Sequence, residues 1–295
     1  MPSTKEIRTR IKSVKNTAQI TRAMQLVAAS KMKKAQDSAL KGRTYAVLLA
    51  EILASAVERV EGFEHPLLSH REVKKRGILI LSTDKGLCGG LNANLFKKVI
   101  EESKGGAAFV TVGRKAAQFV ARTKRELLAD FPVSDRSAFA EIRPIVEFML
   151  KAFEDGEIDT IEVIYPRFVN TLVQQATCAH LAPLEDLAAQ VEDVRKRFGV
   201  ELSDVSQDHR DMIFEPSIEA VLSELPGLFL KTGIYQLVLE SKASEHSARM
   251  VAMKAATDNA KNLVDDLTLQ FNKARQAAIT AEILEIAAAS AADTV

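Results

Sequence analysis

No glycine or proline interrupts the chain between Ser3 and Lys41, and none occurs between Ile234 and Val295. Stretches of that length without helix breakers read as two long helices at opposite ends of the chain. Helices so long cannot be buried inside a domain of this size, so they must pack on each other or on a partner. Tryptophan is absent and aromatics make up only 5% of the chain, a composition that suits helix–helix seams better than a broad aromatic core. No apolar run approaches the roughly 18 residues of a membrane span, so any membrane association would run through another protein. The two cysteines, Cys88 and Cys178, lie far apart in apolar contexts. Nothing supports a secreted disulfide scaffold, and both read as reduced cytosolic thiols. The five histidines show no ligand spacing with cysteine or acidic residues, so no metal site is expected.

What is present describes a folded protein. Hydrophobic residues make up 47% and charged residues 27% of 295 positions, enough for one large or two small domains. The net charge of +1 hides an asymmetry: residues 1–45 carry eleven Lys or Arg against Glu6 and Asp37, giving +9, and the remainder sums to −8. A basic helix on a nearly neutral chain implies an acidic partner surface. There is no apolar secretory segment at the start, although the basic, acid-poor composition there also resembles a transit peptide.

Along the chain, Ser3 and Glu6 form a capping box that starts the first helix. Small or apolar residues then recur with 4-3 spacing at Ile7, Ile11, Val14, Ala18, Thr21, Gln25, Ala28, Met32, Ala35 and Ala39, flanked by Ile20, Met24 and Val27. Gly42 is tolerated inside the helix at about 1 kcal/mol, and the pattern stops near Gly62 and Pro66. From Gly77 the period changes. Short apolar runs at 77–83, 107–113 and 160–165 read as strands, and 92–102, 114–124 and 139–154 as helices. Alternation of this kind argues for a mostly parallel Rossmann-like sheet. Residues 170–184 read as an antiparallel edge, and 189–210 as a charged, irregular connection. Pro226-Gly227 should kink or break a helical stretch near 218–224. A second heptad row runs through Leu239, Ala243, His246, Met250, Met253, Thr257, Ala260, Val264, Leu267, Phe271, Ala274, Ala278 and Ala281. The expected fold is α/β plus long α: an antiparallel, left-handed coiled coil of the N- and C-terminal helices with an inserted Rossmann-like domain. Its expected parts are residues 1–62, 77–215 and 217–295.

Few residues suggest chemistry. The segment Lys85-Gly-Leu-Cys-Gly-Gly-Leu91 follows the first strand, where α/β folds bind phosphate, but matches no phosphate-loop pattern and reads as a turn or contact loop. Cys88 has no partner at nucleophile spacing. Asp84 and Asp130 read as solvated loop residues, His246 as a hydrogen-bonded seam residue, and Met24, Met32, Met250 and Met253 as packing. The basic stretch Lys31, Lys33 and Lys34 could meet nucleic acid, yet the first aromatic after it is Tyr45, so no stacking platform exists.

Three segments carry a resemblance. Residues 11–31 (Ile11-Lys-Ser-Val-Lys-Asn-Thr17, Ile20-Thr-Arg-Ala-Met24, Val27-Ala-Ala-Ser-Lys31) resemble the start of the gamma chain of F-type ATP synthase. Asp84-Lys-Gly-Leu-Cys-Gly-Gly-Leu-Asn92 resembles that family's central motif. Ser244-Glu-His-Ser-Ala-Arg-Met250 with Leu267-Thr-Leu-Gln-Phe-Asn-Lys-Ala-Arg-Gln-Ala-Ala-Ile-Thr280 resembles its C-terminal signature. The likeness spans the chain and is loosest over about residues 120–210.

The resemblance implies a central rotor shaft with no catalytic group, cofactor or metal of its own. Its partners would be the alpha and beta subunits of a hexamer, the epsilon subunit and the membrane c-ring, with no nucleic acid. By resemblance, Met24, Arg249, Arg275, Gln276, Thr280, Glu282 and Glu285 couple rotation to the hexamer. Lys31, Lys33, Lys34, Lys85 and Cys88 are expected beside its acidic lower levers, and Phe214 and Glu215 at the c-ring and epsilon foot. The family's start coincides with Met1, which displaces the transit-peptide reading and implies the cytoplasmic face of a bacterial inner membrane. Two other readings remain open: a coiled-coil nucleic-acid adaptor, which would bind with steep salt dependence, and a nucleotide-dependent enzyme built on residues 77–215.

Overall fold

The structure, a computed structural model, describes residues 3–60, 63–69, 71–135, 137–184, 186–198 and 213–292. Its elements run α1 (Thr4–Val57), β1 (Arg76–Leu81), α2 (Leu91–Glu102), β2 (Ala107–Val112), α3 (Arg114–Arg122), β3 (Glu126–Phe131), α4 (Phe139–Glu154), β4 (Thr160–Phe168), β5 (Gln174–Ala182), α5 (Leu187–Phe198) and α6 (Ile218–Ala292). They form two compact units, Met1–Ala28 with Arg249–Val295, and Ala29–Ala248.

In the first unit the helix start is the expected capping box. The Ser3 N–H donates to Glu6 Oε2 at 3.0 Å and the Glu6 N–H to Ser3 Oγ at 3.2 Å. Ile7, Thr21 and Ala28 of α1 and Met253, Thr257, Ala260 and Leu267 of α6 are buried. The Thr21 and Thr257 hydroxyls meet at 2.7 Å. An antiparallel register about that contact sets Thr4 level with Ala274, and α6 is exposed from Arg275 to Ala287. The seam expected to continue through Ala278 and Ala281 is not seen there, since both residues are exposed. Ile20 and Val27, the flanking row, stay more than half exposed.

The second unit holds a five-stranded sheet in the order β3-β2-β1-β4-β5. β1 pairs in parallel with β2 and β4, β2 with β3, and β5 is the antiparallel edge. Alternate residues of β1 face opposite layers, as a period of two demands. Ile78 and Ile80 pack under α2 and α3 with Leu95, Val99 and Phe119. Leu79 and Leu81 pack under α4 and α6 with Ile145, Met149, Ile234 and Leu237. A third cluster joins Ala46, Val47, Leu53, Val194, Leu222 and Phe229 from α1, α5 and α6. The two long helices run antiparallel here also, since Lys31 and His246 both reach Asp135 while Gly42 lies against Gln236. A Cβ at Gly42 would sit 1.8 Å from Gln236 Nε2, so the end of that side chain would have to move to admit one.

Four expectations change. β3 was not foreseen; it is an edge strand whose mixed exposure erases the alternation that marks a half-buried strand. Residues 189–198 are helical within α5, anchored by Val194 in the third cluster and by Arg195 on the buried Glu51 at 2.5 Å; residues 199–210 lie outside the described ones. Pro226 does not end the helix. Its missing N–H and ring clash cost about 3 kcal/mol. Burial of Leu222, Leu225, Phe229 and Leu230 around it offsets that, at about 1.5–3 kcal/mol for each side chain fully buried. Finally, α1 stops at Val57, short of Gly62.

Candidate functional site

In a doubly wound sheet, strand order reverses where β1 and β4 lie side by side, and the crevice beyond their C-terminal ends is where such folds seat ligands. Here the crevice is occupied by the protein itself. Cys88, from the loop after β1, and Leu91, at the start of α2, bury against Ala248 of α6. From the end of β4, the Phe168 N–H donates to Glu240 Oε1 at 3.1 Å. From the β4–β5 turn, the Thr171 carbonyl accepts the Ser247 hydroxyl at 2.8 Å, and Gln174 Nε2 donates to Ser247 Oγ at 3.5 Å. From the loop after β3, Asp135 Oδ1 lies 3.9 Å from His246 Nε2 while Oδ2 accepts Lys31 Nζ of α1 at 2.5 Å. Helix α6 thus fills this end of the sheet.

The electrostatics follow from this enclosure. Burial alone would raise the Asp135 pKa, but the Lys31 hydrogen bond and charge, with His246 and Lys242, hold it below the ordinary carboxylate value. Glu240 goes the other way: burial raises its pKa, and the Phe168 N–H only partly compensates. Its second oxygen, Oε2, has no hydrogen-bond partner among the described residues. Lys242 and Glu245 form a buried pair at 3.4 Å one helical turn apart.

The loop after β1 is built to hold one shape. The Thr83 hydroxyl donates to the Lys85 carbonyl and accepts from Asn92 Nδ2, each at 2.8 Å. Asn92 Nδ2 also reaches Cys88 Sγ at 3.4 Å. Asp84 accepts the Arg114 N–H at 3.1 Å, and Asp130 accepts the Thr111 hydroxyl at 2.6 Å, so neither carboxylate faces the other as a pair. Lys85 is exposed. Cys88, expected at an external contact, turns inward and is 3% exposed, because its neighbours must seal the crevice against Ala248. The residue turned out is Leu87, 61% exposed with φ +63°, a backbone conformation costly for a branched side chain. Sequence reasoning missed it; an apolar residue between glycines was the available signal.

The other expected residues are distributed over both units. Lys33 and Lys34 are exposed on α1, while Lys31 is committed to Asp135. Met24 and Arg249 are half-buried, and Arg275, Gln276, Thr280, Glu282 and Glu285 are exposed on the unopposed end of α6. Phe214, expected at an outward foot, packs partly into the third cluster with Arg59 5.8 Å above its ring. Beside it Ile213 is 87% exposed, and Glu215 is exposed too. No helix among the described residues is long and apolar enough to cross a membrane.

The ATP synthase family profile matches residues 3–292. The ATP synthase gamma chain of Opitutus terrae is 58% identical over 289 residues, covering 98% of both chains. That of Akkermansia muciniphila is 43% identical over 289 residues, again with 98% of each covered. Among solved structures, a chain of the Euglena gracilis mitochondrial ATP synthase, OSCP/F1/c-ring, shares the fold with a TM-score of 0.68 at 18% identity, over 98% of this chain and 94% of that one. A chain of the Tetrahymena thermophila mitochondrial ATP synthase central stalk and c-ring matches with a TM-score of 0.58 at 25% identity, over 80% and 99%.

Proposed function

This chain belongs to the gamma-chain family of ATP synthase and is a central-stalk subunit of that membrane-bound complex, a premise from which we propose that it is a non-catalytic shaft coupling ion-driven c-ring rotation to ATP synthesis and hydrolysis. Its partners are the alpha and beta subunits of the hexamer, the epsilon subunit and the c-ring. It works at the cytoplasmic face of a bacterial inner membrane, held there through those partners.

The observation that carries this reading is the register of the helix pair. Beyond Ala274, α6 continues alone, with Ile279, Ile283, Leu284 and Ile286 exposed among alanines. A surface that sets exposed apolar side chains among charged and polar ones suits enclosure by a protein partner. Arg275, Gln276, Thr280, Glu282 and Glu285 would meet that sleeve, with Met24 and Arg249 nearer the pair. Lys33, Lys34 and Lys85 supply positive charge for acidic levers, and Leu87 an apolar tip beside Lys85. Lys31 and Cys88, turned to internal partners, would act by holding this surface in shape. Ile213 and Glu215 offer the foot, braced by Phe214. An asymmetric shaft presents a different face to each catalytic subunit at each angle and so favours a different conformation in each, which is coupling by differential binding.

Co-purification tests the proposal. A tagged chain expressed with the rest of the complex should bring down alpha and beta subunits in fixed ratio, with ATPase activity in the assembly only. A monodisperse lone chain that hydrolyses ATP would overturn it.

A further inference from the structure

All nine residues from Glu240 to Ala248 are buried, and seven of them are polar or charged: Glu240, Ser241, Lys242, Ser244, Glu245, His246 and Ser247. Helix burial is normally achieved with apolar side chains, and α6 is mostly apolar just before this stretch, at Leu230, Ile234, Leu237 and Val238, with Thr232 and Gln236 as buried polar exceptions. The change in chemistry coincides with the point where α6 enters the crevice at the C-terminal edge of the sheet. Three separate loops of that edge, with the strand and helix ends that flank them, reach it there: the loop after β1 through Cys88 and Leu91 at the start of α2, the loop after β3 through Asp135, and the β4–β5 turn through Thr171 and Phe168 at the end of β4. Asp135 also holds α1 through Lys31.

Apolar packing is non-directional, so a greasy helix can rotate about its own axis with little loss of burial. Hydrogen bonds and ion pairs depend steeply on angle and distance. Polar contacts from Glu240 and Ser247 to the end of β4 and the β4–β5 turn, and from His246 to the loop after β3, therefore fix the rotational setting of α6 in a way that leucines could not.

We infer that residues 240–248, gripped by these loops, form a torsional clamp between the helix pair and the sheet layers. In it Asp135 is the positioning residue that ties α1 and α6 to one point. The clamp makes the α/β layers and the stretches of α1 and α6 packed on them within Ala29–Ala248 turn together. This inference rests on the central-stalk reading.

The test uses the assembled, membrane-bound complex carrying Asp135→Asn, Ser247→Ala or Asp135→Glu. The Lys31–Asp135 pair is half-exposed and contributes little to folding, so these variants should assemble. ATP hydrolysis rate, ATP-driven cation pumping in vesicles and the torsional stiffness of the single rotating complex are measured together. Asp135→Asn and Ser247→Ala should lower pumping per ATP hydrolysed by twofold or more and soften the shaft, with assembly near that of the parent. Asp135→Glu, which keeps the charge, should recover most of the loss. Unchanged pumping ratio and stiffness in both neutral variants would overturn the clamp, as would a loss of pumping that only follows loss of assembly. If the unmodified chain itself fails to assemble with alpha and beta subunits, the central-stalk reading has failed instead.

Discussion

Replacing Gly113 with alanine should damage both the sheet and the loop that leads into the crevice. Gly113 follows β2 with φ +92° and ψ 135°, a conformation open to glycine and costing other residues about 1–3 kcal/mol. A Cβ there would also lie 2.5 Å from the Ser82 carbonyl oxygen and 2.9 Å from its carbon. Those atoms belong to the main chain leaving β1 and cannot swing aside. Ser82 is tied in by its N–H to the Val112 carbonyl at 2.9 Å and by its hydroxyl accepting the Ala116 N–H at 2.8 Å. Forced overpacking adds about 1–3 kcal/mol, so the sum is about 2–6 kcal/mol, against total stabilities of about 5–15 for ordinary domains. Gly156→Ala is the control: its φ is +75° but nothing lies within 4 Å of the added Cβ, so only the backbone cost applies. Urea unfolding should show Gly113→Ala the more destabilised of the two, with the clash contributing about 1–3 kcal/mol of the difference. Gly113→Ala should also speed hydrogen exchange at the Arg114 and Lys115 amides, which donate to Asp84 and Thr83. Equal destabilisation by the two substitutions would refute the close-approach argument.

Three further outcomes follow from the same structure. Glu240→Gln keeps the acceptor for the Phe168 N–H and removes a buried charge; because the folded pKa is raised, the ionised form costs stability as pH climbs above 4.5. The variant should melt higher than the parent at pH 7 and lose that advantage by pH 4, and an advantage independent of pH would contradict the assignment. Burial, reinforced by the Glu162 charge, pushes the Cys178 thiol up to about 12. Its alkylation rate should therefore keep rising about tenfold per pH unit past the ordinary value of 9.0, and a plateau there would show the thiol to be solvated. Ser3→Ala removes one half of the capping box and should destabilise the start of α1 by about 1 kcal/mol, read as roughly fivefold faster exchange of its first-turn amides.

The elements legible from sequence were those that local physics encodes. The capping box at Ser3, the 4-3 spacing through Thr21 and Thr257, and the apolar runs of β1, β2 and β4 each follow from periodicities a few residues long. They determined two long helices flanking a mostly parallel sheet. The strand β3, the helix α5 and the continuity of α6 through Pro226 were decided elsewhere, by pairing with β2 and by burial in a cluster drawn from α1, α5 and α6. The crevice shows the same division. Ser247 meets Thr171 across 76 positions and Lys31 meets Asp135 across 104, so no local pattern could announce either contact. A buried serine or aspartate carries no signature until the chain closes around it, because its burial is favourable only with the partner that the fold delivers.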